Sequence, residues 1–223
     1  MRADAARLLH MQPETLNRWV NGYTYRPQRE GKPLGRRKRL DPLVSAELPI
    51  LGKAVALSFH ELMELRVVKE IVDKGVSLRH VRAAAAIAGE KFGTHHPFAS
   101  RRVFTDGKNI FSSVADEHLV KWAKGEIDQL IAGQLFRHFL SEIEFDANTS
   151  LAERWWPLGR SVPVVLDPAI RFGAPVVKGT GVKTASVASM ARASSVQDAA
   201  SAFAIDVESA RAAVDFEKKL AAA

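Results

Sequence analysis

Residues 5–20 read AARLLHMQPETLNRWV, two short amphipathic stretches that meet at a tight corner. In the first, Ala6 and Leu9 share a face. Met11 closes the corner, Pro13 suits the first turn of a second helix, and Leu16 and Val20 point back at a core. The outward face then carries Gln12, Thr15, Asn17, Arg18 and Trp19. Gln, Asn and Arg side chains meet base edges in bidentate fashion in a major groove, and Thr and Arg hold phosphates. A helix-turn-helix delivers such residues from the start of its second helix. Helical hairpins of this spacing also serve as plain packing units, so the neighbouring sequence decides between the two readings.

That neighbour is a cationic tract. Arg26, Arg29, Lys32, Arg36, Arg37, Lys38 and Arg39 stand against the single acid Glu30, whereas the remaining sequence is nearly balanced within a net charge of +7. A local surplus of this kind suits a polyanion better than the overall charge does. Between residues 21 and 57 the chain is rich in Gly, Pro and cations, with Tyr23 and Tyr25 interleaved. It reads as an irregular wing or arm with a short strand at Tyr-Thr-Tyr; the plainer alternative is a solvated linker.

The 223 residues, 47% hydrophobic, suffice for one large domain or two to three small ones. With no cysteine there is no disulfide, thiolate metal site or cysteine nucleophile. No apolar run reaches the roughly 18 residues of a bilayer span and no signal-like segment opens the chain, so a cytoplasmic location without membrane contact is expected.

From Ser58, a plausible N-cap, Phe59, Met63, Val67 and Ile71 form one apolar row beside Leu62, Leu65, Val68 and Val72. Gly75 is the stop, Ser77 caps a following helix, and Val81, Ala84, Ala85 and Ala88 give it a small-residue face. Alternation around Asp106-Gly107, with Val103 and Phe104 before and Ile110 and Phe111 after, predicts a β-hairpin over 101–113. A long helical region, 116–143, follows; Gly125 and Gly133 bend or divide it. Beyond Trp155-Trp156-Pro157 the composition changes. Val162–Leu166 and Pro175–Val177 read as strands, and Thr184–Ala191, Val196–Phe203 and Val207–Leu220 as helices, the last capped by Asp206. The fold class expected is mainly α: a helix-turn-helix with a basic wing (1–93), a β-hairpin and helical middle region (94–155), and a small helical C-terminal module with short strands (156–223).

Residues 199–214, AASAFAIDVESARAAV, align without gaps on 5–20. Their four identities equally meet the shared demands of a tight helical corner, so no duplication is drawn from them. The first segment offers Asn17, Arg18 and Trp19 from its second helix, whereas the second offers Ala210, Arg211 and Ala212 from its own, a set suited to packing or dimer contact rather than base reading.

The order of helical corner, basic wing and SFHELMELRVVKEIVDKGVSLRHVRAAA resembles the DNA-binding domain of MerR-like regulators, with Phe59, Leu62, Leu65, Gly75, Ser77, Leu78, Val81 and Arg82 at the matching positions. The stretch LDPAIRFGAPVVKGTGVKTASVASM resembles the DUF433 family through Asp167, Pro168, Phe172, Gly173, Pro175, Gly179 and Thr180; the family's Gly-Thr-Arg is here Gly179-Thr180-Gly181. The two together resemble the long VapB-type antitoxins. That resemblance implies a PIN-like ribonuclease toxin as partner, repression of the shared operon through operator DNA, and a homodimer or toxin-antitoxin hetero-oligomer. On it, Gln12, Thr15, Asn17, Arg18, Tyr25, Arg26, Arg29, Arg36, Arg37, Lys38 and Arg39 are the DNA-binding candidates. Arg171, Phe172, Pro175 and Arg192 are the partner-binding ones, the two arginines reaching the carboxylates of a ribonuclease site.

Other constellations carry less. Lys178-Gly179-Thr180-Gly181 lacks the spacing of a phosphate loop and reads as turns. His95 and His96 lack a third ligand at metal spacing and read as a turn or polar surface patch. No nucleophile or paired-carboxylate setting is present, so neither an enzyme nor a cofactor or metal is expected. Trp155 and Trp156, like Phe172 and Pro175, suit either a partner anchor or the core. Two alternatives to the antitoxin remain: a ligand-responsive MerR-like regulator with an apolar pocket in its helical middle, and a pure protein-interaction module.

Overall fold

Ser58 and Ser77 set the two long helices of the N-terminal half. Ser58 Oγ accepts from the Glu61 amide at 3.1 Å while Glu61 Oε2 accepts from the Ser58 amide at 2.5 Å, a complete capping box, and Ser77 caps the second helix. The structure, a computed structural model, describes residues 2–29, 32–33, 35–44, 57–105 and 134–222. Within them the order is α1 (Arg2–Leu8), α2 (Pro13–Asn21), β1 (Tyr23–Tyr25), β2 (Gln28–Arg29), β3 (Lys32–Pro33), β4 (Lys38–Leu40), α3 (Phe59–Asp73), α4 (Leu78–Phe92), α5 (Gln134–Glu142), β5 (Ile143–Phe145), β6 (Ala152–Trp155), β7 (Val164–Val165), β8 (Val176–Val177), α6 (Thr184–Ala193), α7 (Val196–Ala202) and α8 (Val207–Ala221). The chain is mainly helical, with small two-stranded antiparallel sheets pairing β1 with β4, β2 with β3, β5 with β6 and β7 with β8. No helix among the described residues is long and apolar enough to cross a membrane.

Three expectations need correction. Trp19 does not face outward: it is buried beside Leu16 and Val20, because the chain leaving β4 folds back over that flank and the Leu43 amide bonds to the Trp19 carbonyl at 2.7 Å. Residues 101–105 are helical, not the first strand of a hairpin. Val103 and Phe104 are both buried there, and the Phe104 ring meets Phe139 at 5.7 Å and Phe145 at 5.8 Å. A strand would send these two neighbours to opposite faces. Residues 106–113, the rest of the expected hairpin, lie outside the described residues, as does the expected helix from 116 to 133. Gln134–Glu142 is helical, but Ile143 begins β5. Helices α6, α7 and α8 stand where the sequence places them, with Asp206 capping α8 through the Ser209 amide at 2.7 Å.

One core cluster runs from Ala5, Leu9 and Leu16 through Met63, Leu65 and Val81 to Phe139, Ile143, Trp155 and Leu166. Smaller ones join Val177, Val187, Ala199, Ala210 and Ala213, and Trp156 with Val165 and Val176. Trp155 and Trp156 are therefore core residues, 3% and 6% exposed.

The corner at residues 5–20 recurs at 199–214 in the same register. His10 and Ala204 both adopt left-handed φ, 49° and 50°. Leu9 N bonds Ala5 O and Met11 N bonds Ala6 O in one; Phe203 N bonds Ala199 O and Ile205 N bonds Ala200 O in the other. Leu16, Trp19 and Val20 are buried, as are their counterparts Ala210, Ala213 and Val214. The echo in the sequence is thus an echo in backbone geometry.

The chain enters the wing through Gly22. Its φ is +67°, and a Cβ there would sit 2.3 Å from the Leu40 carbonyl oxygen. Tyr23 pairs with Leu40, Thr24 with Arg39 and Tyr25 with Lys38. Gly35, at the far end with φ +68°, has nothing within 4 Å of its would-be Cβ. Gly22→Ala is expected to cost more than about 2 kcal/mol in urea unfolding and Gly35→Ala only about 1 kcal/mol, since the second pays for conformation alone.

His96 is buried rather than part of a surface patch, its Nδ1 2.9 Å from Glu64 Oε2, and the Phe98 amide reaches Glu64 Oε1 at 3.3 Å. Burial pushes the Glu64 carboxyl above the ordinary glutamate value, and the His96 contact offsets this only in part. The folded chain thus keeps a proton that the unfolded chain has released, so this group's contribution to stability falls as pH rises from the ordinary value through the raised one. Glu64→Gln is expected to flatten that segment of a stability-against-pH profile.

Candidate nucleic-acid and partner interfaces

Helix α2 starts at Pro13, whose missing amide proton costs nothing in a first turn. With Leu16, Trp19 and Val20 turned inward, Gln12, Asn17 and Arg18 are exposed and Thr15 is half-buried. Four of the five residues first placed on this face thus keep surface in contact with solvent, Asn17 while already engaged along the helix. Asn17 Oδ1 accepts from Asn21 Nδ2 at 2.6 Å, which fixes the amide's orientation along the helix. The Arg18 guanidinium lies 5.6 Å from the Tyr23 ring centroid, and Tyr23 lies 6.0 Å from Tyr25, so the polar face of α2 runs directly into the base of the wing.

Along the wing, Tyr25, Arg26, Arg36, Arg37, Lys38 and Arg39 are all exposed. Arg26 Nε donates to the Gly35 carbonyl at 3.1 Å, tying one side of the wing to the other. Arg39 Nε is 3.9 Å from Asp41 Oδ1, too far for a hydrogen bond. Arg29 lies in β2, paired with Lys32. Of the candidate cations, Arg29, Lys38 and Arg39 thus lie in paired strands. That scaffold is pinned by a residue the sequence analysis assigned only to a motif: Arg82 Nη1 on α4 donates to the Pro42 carbonyl at 2.8 Å.

The C-terminal candidates sit on a different frame. Arg154 on β6, marked by no local motif, donates from Nε to Asp167 Oδ2 at 2.8 Å and from Nη1 to Glu144 Oε2 at 3.1 Å. These bonds hold its pKa above the ordinary arginine value, Asp167 contributing most. Asp167 Oδ1 accepts from the Ala169 amide at 2.8 Å, starting the turn that carries Arg171 and Phe172. Thr180 Oγ1 donates to the Val177 carbonyl at 2.9 Å and accepts from the Val182 amide at 3.1 Å, so the Gly179-Thr180-Gly181 stretch is a turn. Thr184, fully buried, donates to Glu217 Oε1 at 2.5 Å and so locks α6 to α8.

Phe172 is fully exposed, Arg171 and Arg192 are exposed, and Pro175 is half-buried. Arg171 stands on the turn, whereas Arg192 stands in the last turn of α6. No group of three or more potential metal ligands occurs among the described residues. A cleft of about 430 Å³ opens between α1, α3 and α8, its walls mixing Leu8, Trp155 and Phe216 with Lys69, Glu70 and Lys219.

No family model matches the chain. A protein of Mycobacterium tuberculosis (strain ATCC 25618 / H37Rv) named "Putative antitoxin VapB45" is 26% identical to it over 227 residues, which cover 96% of this chain and 91% of that protein. The X-ray crystal structure of Rv2018 from Mycobacterium tuberculosis is similar with a TM-score of 0.64, at 24% identity and over 96% of each chain. The overall fold is thus similar, over nearly the full length of the chain, to one seen in an experimental structure.

Proposed function

We propose that this protein is a VapB-type antitoxin of a type II toxin-antitoxin system, which binds operator DNA through its N-terminal half and a PIN-like ribonuclease toxin through its C-terminal module. The observation that carries the antitoxin reading is the likeness to VapB45 across 96% of the chain. The DNA-binding part is supported by geometry. The order α1, α2, wing, α3 and α4 suits a MerR-like helix-turn-helix, with α2 entering a major groove and the wing lying along the phosphates. Gln12, Thr15, Asn17 and Arg18 read bases; Tyr25, Arg26, Arg29, Arg36, Arg37, Lys38 and Arg39 anchor the backbone. Two copies reading an inverted repeat repress the operon that encodes both proteins, and the function is non-enzymatic and cytoplasmic.

A second reading, a ligand-responsive regulator without a toxin, calls for an apolar pocket in the helical middle; the cleft between α1, α3 and α8 lies elsewhere and has Lys69, Glu70 and Lys219 in its walls. Co-expression with the product of the adjacent reading frame separates the two. The antitoxin reading expects a stable complex, suppressed ribonuclease activity and restored growth; the second expects no toxicity to neutralise. On operator DNA, Arg18→Ala is expected to lose about 10-fold on the specific site and little on random sequence. Replacing Arg36, Arg37 and Arg39 with Ala is expected to weaken both and to reduce the slope of log affinity against log salt by about 2 to 3. Equal losses on both DNAs from Arg18→Ala would reject its reading role.

A further inference from the structure

The turn after β7 holds three successive residues in left-handed backbone: Arg171 at φ 51°, Phe172 at φ 57° and ψ 37°, and Gly173 at φ 75°. Only the third is a glycine, so the first two are strained. The strain lifts the Phe172 side chain clear of the protein, with exposure of 104% relative to an extended reference. An aromatic ring in water recovers nothing for the fold.

The surroundings nevertheless hold this conformation in place. Asp167 is clamped by Arg154 and caps the turn, Arg171 Nε donates to the Gly181 carbonyl at 3.1 Å, and the Gly173 amide bonds the Ile170 carbonyl at 3.1 Å. Exposed Arg171, Lys178 and Lys183 make the two joined turns cationic, while Asp167 is buried and already paired. A ring with cations around it suits either a nucleic acid or a carboxylate-lined protein pocket. The module's own helical corner favours protein. At the positions matching Gln12, Glu14, Thr15, Asn17 and Arg18 it carries Asp206, Glu208, Ser209, Arg211 and Ala212. Ser209 is buried against Asp206, and two carboxylates stand at the end of α8 that would approach phosphates.

We infer that Phe172 is the anchor of a partner-binding loop, a preformed aromatic knob on a cationic pair of turns that carries Arg171, Lys178 and Lys183, and that it inserts into an apolar pocket rimmed by carboxylates on a partner protein. Resting on the antitoxin reading, that partner is the toxin. The ring contributes the desolvated contact and the cations steer the approach.

The test is titration of the purified adjacent-frame toxin with wild-type protein, Phe172→Ala and Phe172→Trp. Because the ring touches nothing in the free chain, Phe172→Ala is expected to keep its Tm within about 2 °C yet weaken toxin binding by about 30-fold or more. Phe172→Trp is expected to stay within about 5-fold of wild type. Lys178→Glu with Lys183→Glu is expected to slow association and reduce its salt dependence. Wild-type binding with Phe172→Ala equally tight would overturn the anchor and leave the antitoxin reading standing; no binding by wild type would overturn both. Loss of operator DNA by Phe172→Ala with toxin binding intact would make the loop a nucleic-acid contact and overturn the proposal.

Discussion

Arg66 is a buried cation around which the N-terminal helices and the strands beyond Gln134 pack. It leaves α3 and passes between two rings, its guanidinium carbon 4.6 Å from the Phe139 centroid and 4.7 Å from that of Trp155. Its Nη2 donates to Glu142 Oε2 at 2.5 Å, and that carboxylate also accepts from Trp155 Nε1 at 3.4 Å. Arg66 and Glu142 side chains are only 13% and 8% exposed. Burial lowers the pKa of Arg66, but a guanidinium stays charged, so the cation must be matched where it lies. Losing either partner would strand the other, a cost of about 3 to 5 kcal/mol. Trp155 bonds Leu166 through both backbone groups, and the Trp156 amide bonds the Glu142 carbonyl at 2.8 Å. Beside the shared hydrophobic core, this buried charge pair thus ties α3 to the strands that lead to the Phe172 loop.

The molecule uses one helical corner twice and spends it differently. In both copies a left-handed residue at the same position lets the second helix turn back onto the first. Around the first copy, Gly22, Leu43 and Arg82 fasten a cationic wing beside a helix face that carries Asn17 and Arg18. Around the second, the inward positions are small, Ala210 and Ala213, so α6, α7 and α8 pack tightly, and the first turn of α8 is acidic. Backbone geometry alone does not make a base reader; the side chains on the outer face and the charge beside them do.

Local chemistry was legible in the sequence. Ser58, Ser77 and Asp206 cap the helices they were expected to cap, because a hydroxyl or carboxylate meets an amide three residues away. Contacts across the chain were not. Arg66 and Glu142 are 76 positions apart, and no spacing links them. The orientation of Trp19 depends on the chain returning from the wing, beyond the reach of α2's own periodicity. Helix at 101–105 likewise buries Val103 and Phe104 together, Phe104 against Phe139 and Phe145, distant partners that the local alternation does not reveal. Exposure of Gln12, Asn17 and Arg18 and of the cations at 36–39 was readable because these residues lie close together along the chain. Exposure of Phe172, in contrast to the buried Trp155 and Trp156, followed from a backbone conformation that its sequence does not announce.

The central claim is that DNA and toxin occupy separate ends of this chain. Amide hydrogen exchange on the protein alone, with operator DNA and with toxin tests it most directly. The account predicts slowed exchange at 12–18 and 23–40 with DNA, and at 167–184 with toxin, neither set protected by the other ligand. Toxin protection centred on α2 and the wing, with 167–184 unchanged, would contradict it.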